Sequence, residues 1–152
     1  MALSTAQIGK CGELLVQYQL LLHGIESAPM STDTGIDLVT YSPKTATPVT
    51  VQVKTNLKPK PGGGSGKAAL DWWVPTNSPA QYVALVDLST QSIWLMSLPE
   101  FEAGAQRRSS GRLHFYMYTD PSARPRKQGR PSHTHEFERF KLVNQVPREF
   151  GT

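Results

Sequence analysis

The stretch Gly35–Thr55, GIDLVTYSPKTATPVTVQVKT, sets two apolar runs around a polar turn that contains Pro43 and Pro48. Side chains alternate across a strand, so Val49, Val51 and Val53 share one face of the second run. Thr50, Gln52 and Lys54 share the other. An antiparallel partner brings Asp37 of the first run close to Gln52. A carboxylate, an amide oxygen and an ammonium then converge on one side of a sheet. Polar groups withdrawn from water cost free energy unless they are paired. These three must therefore satisfy one another, meet water or hold a ligand.

The surrounding pattern supplies a fold. Residues 4–23 read as a helix with Ser4 or Thr5 as cap, Gly24 as stop, and Ile8, Cys11, Leu15, Tyr18 and Leu22 as its apolar stripe. A short strand or extended link follows at 25–31. After the hairpin, NLKPKPGGGSGK reads as a flexible loop over about 56–67. QYVALVDL, SIWLMSL and RLHFYMY are further strands, and Pro99 opens a helix over PEFEAGAQRR. A basic, Pro-rich loop at about 120–132 leads to a last helix at HTHEFERFKLV. Helix, strands, helix, strand, helix is the order of a mixed α/β layer fold, and 152 residues suit one domain spanning 1–152.

Composition removes several classes. No apolar run reaches the roughly 20 residues that cross a bilayer. MALSTAQIGKCGE lacks the charged start and apolar middle of a signal peptide. With Cys11 as the single cysteine, an internal disulfide and a cysteine zinc cluster are excluded, and a reducing cytoplasm fits. The formal charge of +4 is a mild basic bias, gathered at Arg107, Arg108 and Arg112 and again at RPRKQGR. Solvated loops or a polyanionic partner both account for it.

A hard divalent cation is a natural guest for the polar face of the hairpin, because it takes oxygen ligands and keeps several waters. Asp37 supplies charge, Gln52 its side-chain oxygen and Val53 its carbonyl. Lys54 can orient a metal-bound water or stabilise negative charge on a phosphate. Glu13 completes the site if the first helix packs with that residue toward the hairpin, where Gly9 and Gly12 leave room for close approach. The alternative is an edge hairpin whose Asp37 and Lys54 form a plain ion pair.

Glu13, then GID ending at Asp37, then QVK at Gln52–Lys54 resembles the PD-(D/E)xK nuclease superfamily. The motif covers about the first 56 residues, and the later strands are compatible in order with the superfamily's restriction-endonuclease-like αβββαβ core, a mixed central sheet flanked by helices. The resemblance implies a metal-dependent endonuclease that hydrolyses DNA phosphodiester bonds, with Mg²⁺ as cofactor and Mn²⁺ as substitute. It assigns Asp37 and Gln52 to the metal, Lys54 to the water and scissile phosphate, and Glu13 to the metal or its water shell. Ile36 stands where the superfamily's proline belongs, and Gln52 replaces its acidic residue, which predicts weaker metal binding. Branches similar to junction resolvases, Mrr-type restriction enzymes and intron homing endonucleases use Q-x-K. Double-stranded or branched DNA is the implied partner. One site cuts one strand, so duplex cleavage implies a homodimer or higher homo-oligomer. The alternative is a catalytically inactive nuclease-like module that binds nucleic acid or protein.

Other features are weaker. PGGGSGK fails as a phosphate-binding P-loop, since Pro61 holds the place of the first glycine and Ala68 that of the hydroxyl residue. His133 and His135 have no third ligand at a metal-binding spacing. Asp33 reads as a turn residue. Of Trp72 and Trp73, one is expected in the core and one on the surface. The cations expected to meet DNA are Lys58, Lys60 and Lys67 in the first loop, and Arg124, Arg126, Lys127 and Arg130 in the second.

Overall fold

A computed structural model of the chain describes residues 1–62, 66–125 and 129–151. Helix α1 (Thr5–Leu22) opens with a reciprocal cap, in which Gln7 N–H donates to Ser4 Oγ at 3.2 Å and Ser4 N–H to Gln7 Oε1 at 2.8 Å. Gly24, at φ +78°, ends it in the left-handed conformation. Strands β1 (Glu26–Pro29), β2 (Leu38–Tyr41) and β3 (Pro48–Asn56) then form an antiparallel meander. The chain leaves that sheet for β4 (Lys60–Pro61) and β5 (Ala68–Pro75) and returns as β6 (Tyr82–Asp87) and β7 (Ser92–Ser97). Helix α2 (Leu98–Gly104), strands β8 (Arg107–Ser109) and β9 (Arg112–Tyr118), a 3-10 helix (Thr134–Phe140) and α3 (Leu142–Phe150) complete the described chain.

The architecture is the mixed α/β one expected. The five-stranded sheet has the order β1-β2-β3-β6-β7, with β3 and β6 parallel and the other neighbours antiparallel. A parallel pair needs a crossover. Here the crossover runs through β4 and β5, which join β9 and β8 in a second, antiparallel sheet of order β4-β5-β9-β8. Helices α1 and α3 cover one face of the central sheet, burying Val51, Ala84 and Leu95 against Val16, Leu20 and Val146. The second sheet covers the other face, where Val83, Leu85 and Met96 meet Leu70, Trp72 and Phe115. Each such side chain taken from water contributes about 1.5–3 kcal/mol, which fixes both faces of β3 by its alternation. Val51 and Val53 go to the helices, so Gln52 and Lys54 turn toward the second sheet.

Three sequence expectations change. The buried stripe of α1 is Gly12, Val16 and Leu20, with Leu15 beside it, whereas Cys11, Tyr18 and Leu22 are exposed. AALDWWVP, unassigned from the sequence, is β5, with Leu70, Trp72 and Val74 inward. The loop expected over about 56–67 is partly strand, since Lys60 and Pro61 pair with Ala69 and Ala68. Trp72 is core and Trp73 lies on the outer face, as expected of that pair. Among the described residues no helix is long and apolar enough to cross a membrane.

Candidate metal and phosphate site at a strand fork

Leu38 lies opposite Val51, which sets Asp37 opposite Gln52, one step beyond the end of β2. Asp37 N–H still donates to the Val51 carbonyl at 2.9 Å. Past that point β3 continues to Asn56 beside β6 alone, so the sheet forks. The Asp37 carboxylate fills the gap: its Oδ2 accepts from Val53 N–H at 2.7 Å. A charge-assisted bond of that length holds the carboxylate in one orientation. Peptide groups alternate sides along a strand. Because Val51 C=O and Val53 N–H both turn toward β2, the Val53 carbonyl turns there too.

Gln52 is buried, and its Oε1 accepts from Ser78 Oγ at 2.9 Å. Ser78 belongs to the link between β5 and β6, and Ala80 N–H donates to the same hydroxyl at 3.4 Å. A hydroxyl both donates and accepts, so Ser78 satisfies either end of the amide. Gln52 can therefore turn its oxygen to a cation without losing that partner. The neighbouring residue Pro79 closes the wall: a Cβ on Gly35, which sits at φ +87°, would lie 3.0 Å from Pro79 Cδ. Only glycine accepts both that conformation and that approach, two residues before Asp37.

Lys54 lies on the same face of β3 as Gln52, half-buried, with no ion pair or hydrogen bond among the described residues. The Asp37–Lys54 ion pair of the alternative reading is thus absent. Asn56, the next residue on that face, clamps β3 to β5: its Nδ2 donates to the Asp71 carbonyl at 2.7 Å and its Oδ1 accepts from Asp71 N–H at 3.3 Å.

Helix α1 reaches the end of β3 through Gly12, where an added Cβ would fall 1.8 Å from Thr55 Oγ1. Gly9 faces open space, contrary to the expectation that both glycines serve close approach. Glu13 follows Gly12 but pairs with Lys10 at 3.3 Å, and among the described residues it makes no hydrogen bond or ion pair with Asp37, Gln52 or Lys54. Such a pair on a helix surface is worth at most about 1 kcal/mol, so it yields readily to a stronger partner. Among the described residues no three His, Cys, Asp or Glu side chains form a metal cluster. The donor set at the fork is of another kind: one carboxylate with an amide and a peptide oxygen, all hard ligands suited to Mg²⁺ or Mn²⁺.

Of the expected DNA-facing cations, Lys60 and Lys67 line one depression on the second sheet. Lys58, Lys60 and Arg124 are exposed, and Lys67 lies 3.9 Å from Asp120. Arg130 Nη2 donates to the Ala103 carbonyl at 3.2 Å. Arg126 and Lys127 lie outside the described residues. Both ring nitrogens of His133 are engaged, Nδ1 with Glu136 at 3.1 Å and Nε2 with the Ala123 carbonyl at 2.8 Å, so it is structural rather than a ligand. Ser78 and, on the outer face of β5 and β9, Asp71, His114, Tyr116 and Tyr118 were not singled out by the sequence. The link holding Ser78 has no periodicity to read, but the basic cluster around Arg107 and Arg112 was a visible signal.

No protein-family model matches the chain, and no curated protein matches it significantly. The fold is a mixed α/β one, a five-stranded sheet with helices on one face and a second sheet on the other. Among solved structures the chain is similar to a bacterial homing endonuclease, I-Ssp6803I, with TM-score 0.60, 14% identity, and coverage of 98% of this chain and 99% of that chain. At that identity the likeness is one of fold.

Proposed function

We propose that the chain is a metal-dependent DNA endonuclease of the PD-(D/E)xK type in its Q-x-K form. The observation that carries this reading is the fork itself: a carboxylate seated on Val53 N–H, opposite Gln52, with an unpaired lysine two residues further on. Fold likeness to a protein described as a homing endonuclease supports it. Asp37, Gln52 and the Val53 carbonyl hold Mg²⁺, or Mn²⁺ in its place. When bound, the ion supplies Lewis acidity at the phosphate and lowers the pKa of a bound water. Lys54, free of any competing partner, donates hydrogen bonds to the attacking water and the scissile phosphate, fixing the line of attack and offsetting the charge that develops. Glu13, whose surface pair with Lys10 is weak, would accept hydrogen bonds from water bound to the ion. Each chain cuts one strand, and two chains in a homodimer or higher assembly cut a duplex.

The test is cleavage of supercoiled plasmid and of branched DNA in Mg²⁺ or Mn²⁺ by wild type and by Lys54→Ala. Nicking or linearisation that disappears in a folded Lys54→Ala variant supports the proposal. Equal cleavage by both refutes the role of Lys54. Gln52 in place of a second carboxylate favours a second reading, a module that binds DNA without cutting. Tight DNA binding with no metal-dependent cleavage on any substrate selects it.

A further inference from the structure

We propose that the outer face of the second sheet is a duplex-DNA reading surface, with β5 and β9 in the major groove and the edge strands β4 and β8 on the flanking phosphates. This rests on the DNA reading above. Leu70, Trp72 and Val74 of β5 and Leu113, Phe115 and Met117 of β9 point into the core. Alternation therefore places Asp71 and Trp73 on the outside with Arg112, His114, Tyr116 and Tyr118. Among the described residues no helix or further sheet covers that side, yet its side chains are locked together. The Trp73 and His114 rings stack 4.1 Å apart at 7°, the Arg112 guanidinium lies 4.8 Å over Trp73, and Tyr116 meets Tyr118 edge-on at 5.5 Å. His114 Nε2 is 2.9 Å from Asp71 Oδ2, and that hydrogen bond holds the Asp71 carboxyl below the usual carboxylate range.

Charge and size select the occupant. Lys60, Lys67, Asp71, Arg107, His114 and Tyr118 line a depression of about 320 Å³ on this face. Asp71 is already engaged by His114, and the exposed pair of Lys67 with Asp120 is weak, so the face presents net positive charge to a polyanion. Neighbouring strands lie about 4.8 Å apart; β4 flanks β5 beside Ala69 and β8 flanks β9 beside His114, at opposite ends of the pair, so the sheet is about 10 Å across at either end. The major groove is about 12 Å wide and admits a two-stranded ribbon. With β5 and β9 in the groove, Lys60 on β4 and Arg107 on β8 reach the backbones on either side. Trp73 already carries His114 and Arg112, so the face suits groove edges better than unstacked bases. Arg112 is the side chain shaped for a guanine edge. The Asn56–Asp71 clamp joins this surface to the strand that bears Lys54, so a duplex held by one is registered against the other.

The experiment is binding of a labelled mixed-sequence duplex in EDTA across a salt series, with folding checked by thermal melts. Lys60→Gln/Arg107→Gln is expected to lower the slope of log affinity against log salt by about 2. Arg112→Gln is expected to weaken binding about tenfold. Lys44→Gln, in the β2–β3 turn, leaves binding unchanged. Trp73→Phe keeps binding but abolishes the DNA-induced fluorescence change, since Trp72 and Trp94 are buried. If wild type binds and the sheet variants bind like it, the surface is wrong and the nuclease reading stands. If wild type binds no duplex at any salt, the surface falls, and the cleavage assay on plasmid and branched DNA decides the nuclease reading separately. Salt-sensitive binding that these variants lose, without cleavage by wild type, keeps the surface and removes the nuclease.

Discussion

Gly9 and Gly12 lie three residues apart on α1, and the same substitution at the two should act with opposite sign. Alanine at Gly9 meets nothing within 4 Å, so only the gain in helix propensity remains, about 0.8–1 kcal/mol of stabilisation. Alanine at Gly12 has the same gain but places its methyl 1.8 Å from Thr55 Oγ1, 2.8 Å from Thr55 Cβ and 2.9 Å from Cγ2. Rotating Thr55 about χ1 removes the first contact and cannot remove the second, because Cβ is fixed to β3. Helix and strand must separate by about 0.6 Å to restore an ordinary 3.4 Å contact, at the expense of the packing of Val16 and Leu20 below. Inserting a methyl into a packed contact costs about 1–3 kcal/mol. The two variants should therefore differ by that amount, and for a chain of this size each kcal/mol moves Tm by about 2–4 °C. Thermal melts of both proteins measure it, with Gly9→Ala above wild type and Gly12→Ala at or below it. Equal melting temperatures, or Gly12→Ala the higher, would refute the close approach of α1 to β3 and the placement of Glu13 that depends on it.

Among the described residues buried Thr55 Oγ1 has no hydrogen-bond partner, so Thr55→Val should stabilise by about 1 kcal/mol in a chemical-denaturation curve. Gln52→Glu restores a second carboxylate while Ser78 still donates to it; the Mg²⁺ concentration for half-maximal cleavage should fall roughly tenfold, and an unchanged requirement would remove Gln52 from the ligand set. The Asp71 carboxyl is held down first by its hydrogen bond from His114, so its stabilisation is full above its unfolded value near about 4 and is lost as pH falls through the lower folded value. The Tm gap between wild type and Asp71→Asn, measured across that acid range, should close on acidification. A gap that stays constant would show that the Asp71–His114 contact carries no charge.

The pairing of Asp37 with Gln52 was legible because strand period is two and the valines of β3 declare which face is core. The same logic failed at β5, where tryptophans stand on both faces and the run follows a Gly-rich segment. It also failed on α1, where Leu14, Tyr18 and Leu21 are exposed and the deepest contact is made by Gly12, a residue with no apolar signal at all. Ser78 could not be found from Gln52, since 26 residues and a change of sheet separate them. Glu13 lies on the helix that meets β3, but its pairing with Lys10 is a local i,i+3 contact that a long-range motif does not encode.

The central claim is that Asp37, Gln52 and Val53 hold a divalent ion at the fork. Its most direct test is Mn²⁺ titration followed by electron paramagnetic resonance in the presence of duplex DNA, comparing wild type with Asp37→Asn. The account predicts a bound Mn²⁺ in the wild-type complex that the folded Asp37→Asn variant loses. Identical Mn²⁺ binding by the two proteins, or none by wild type, would contradict it.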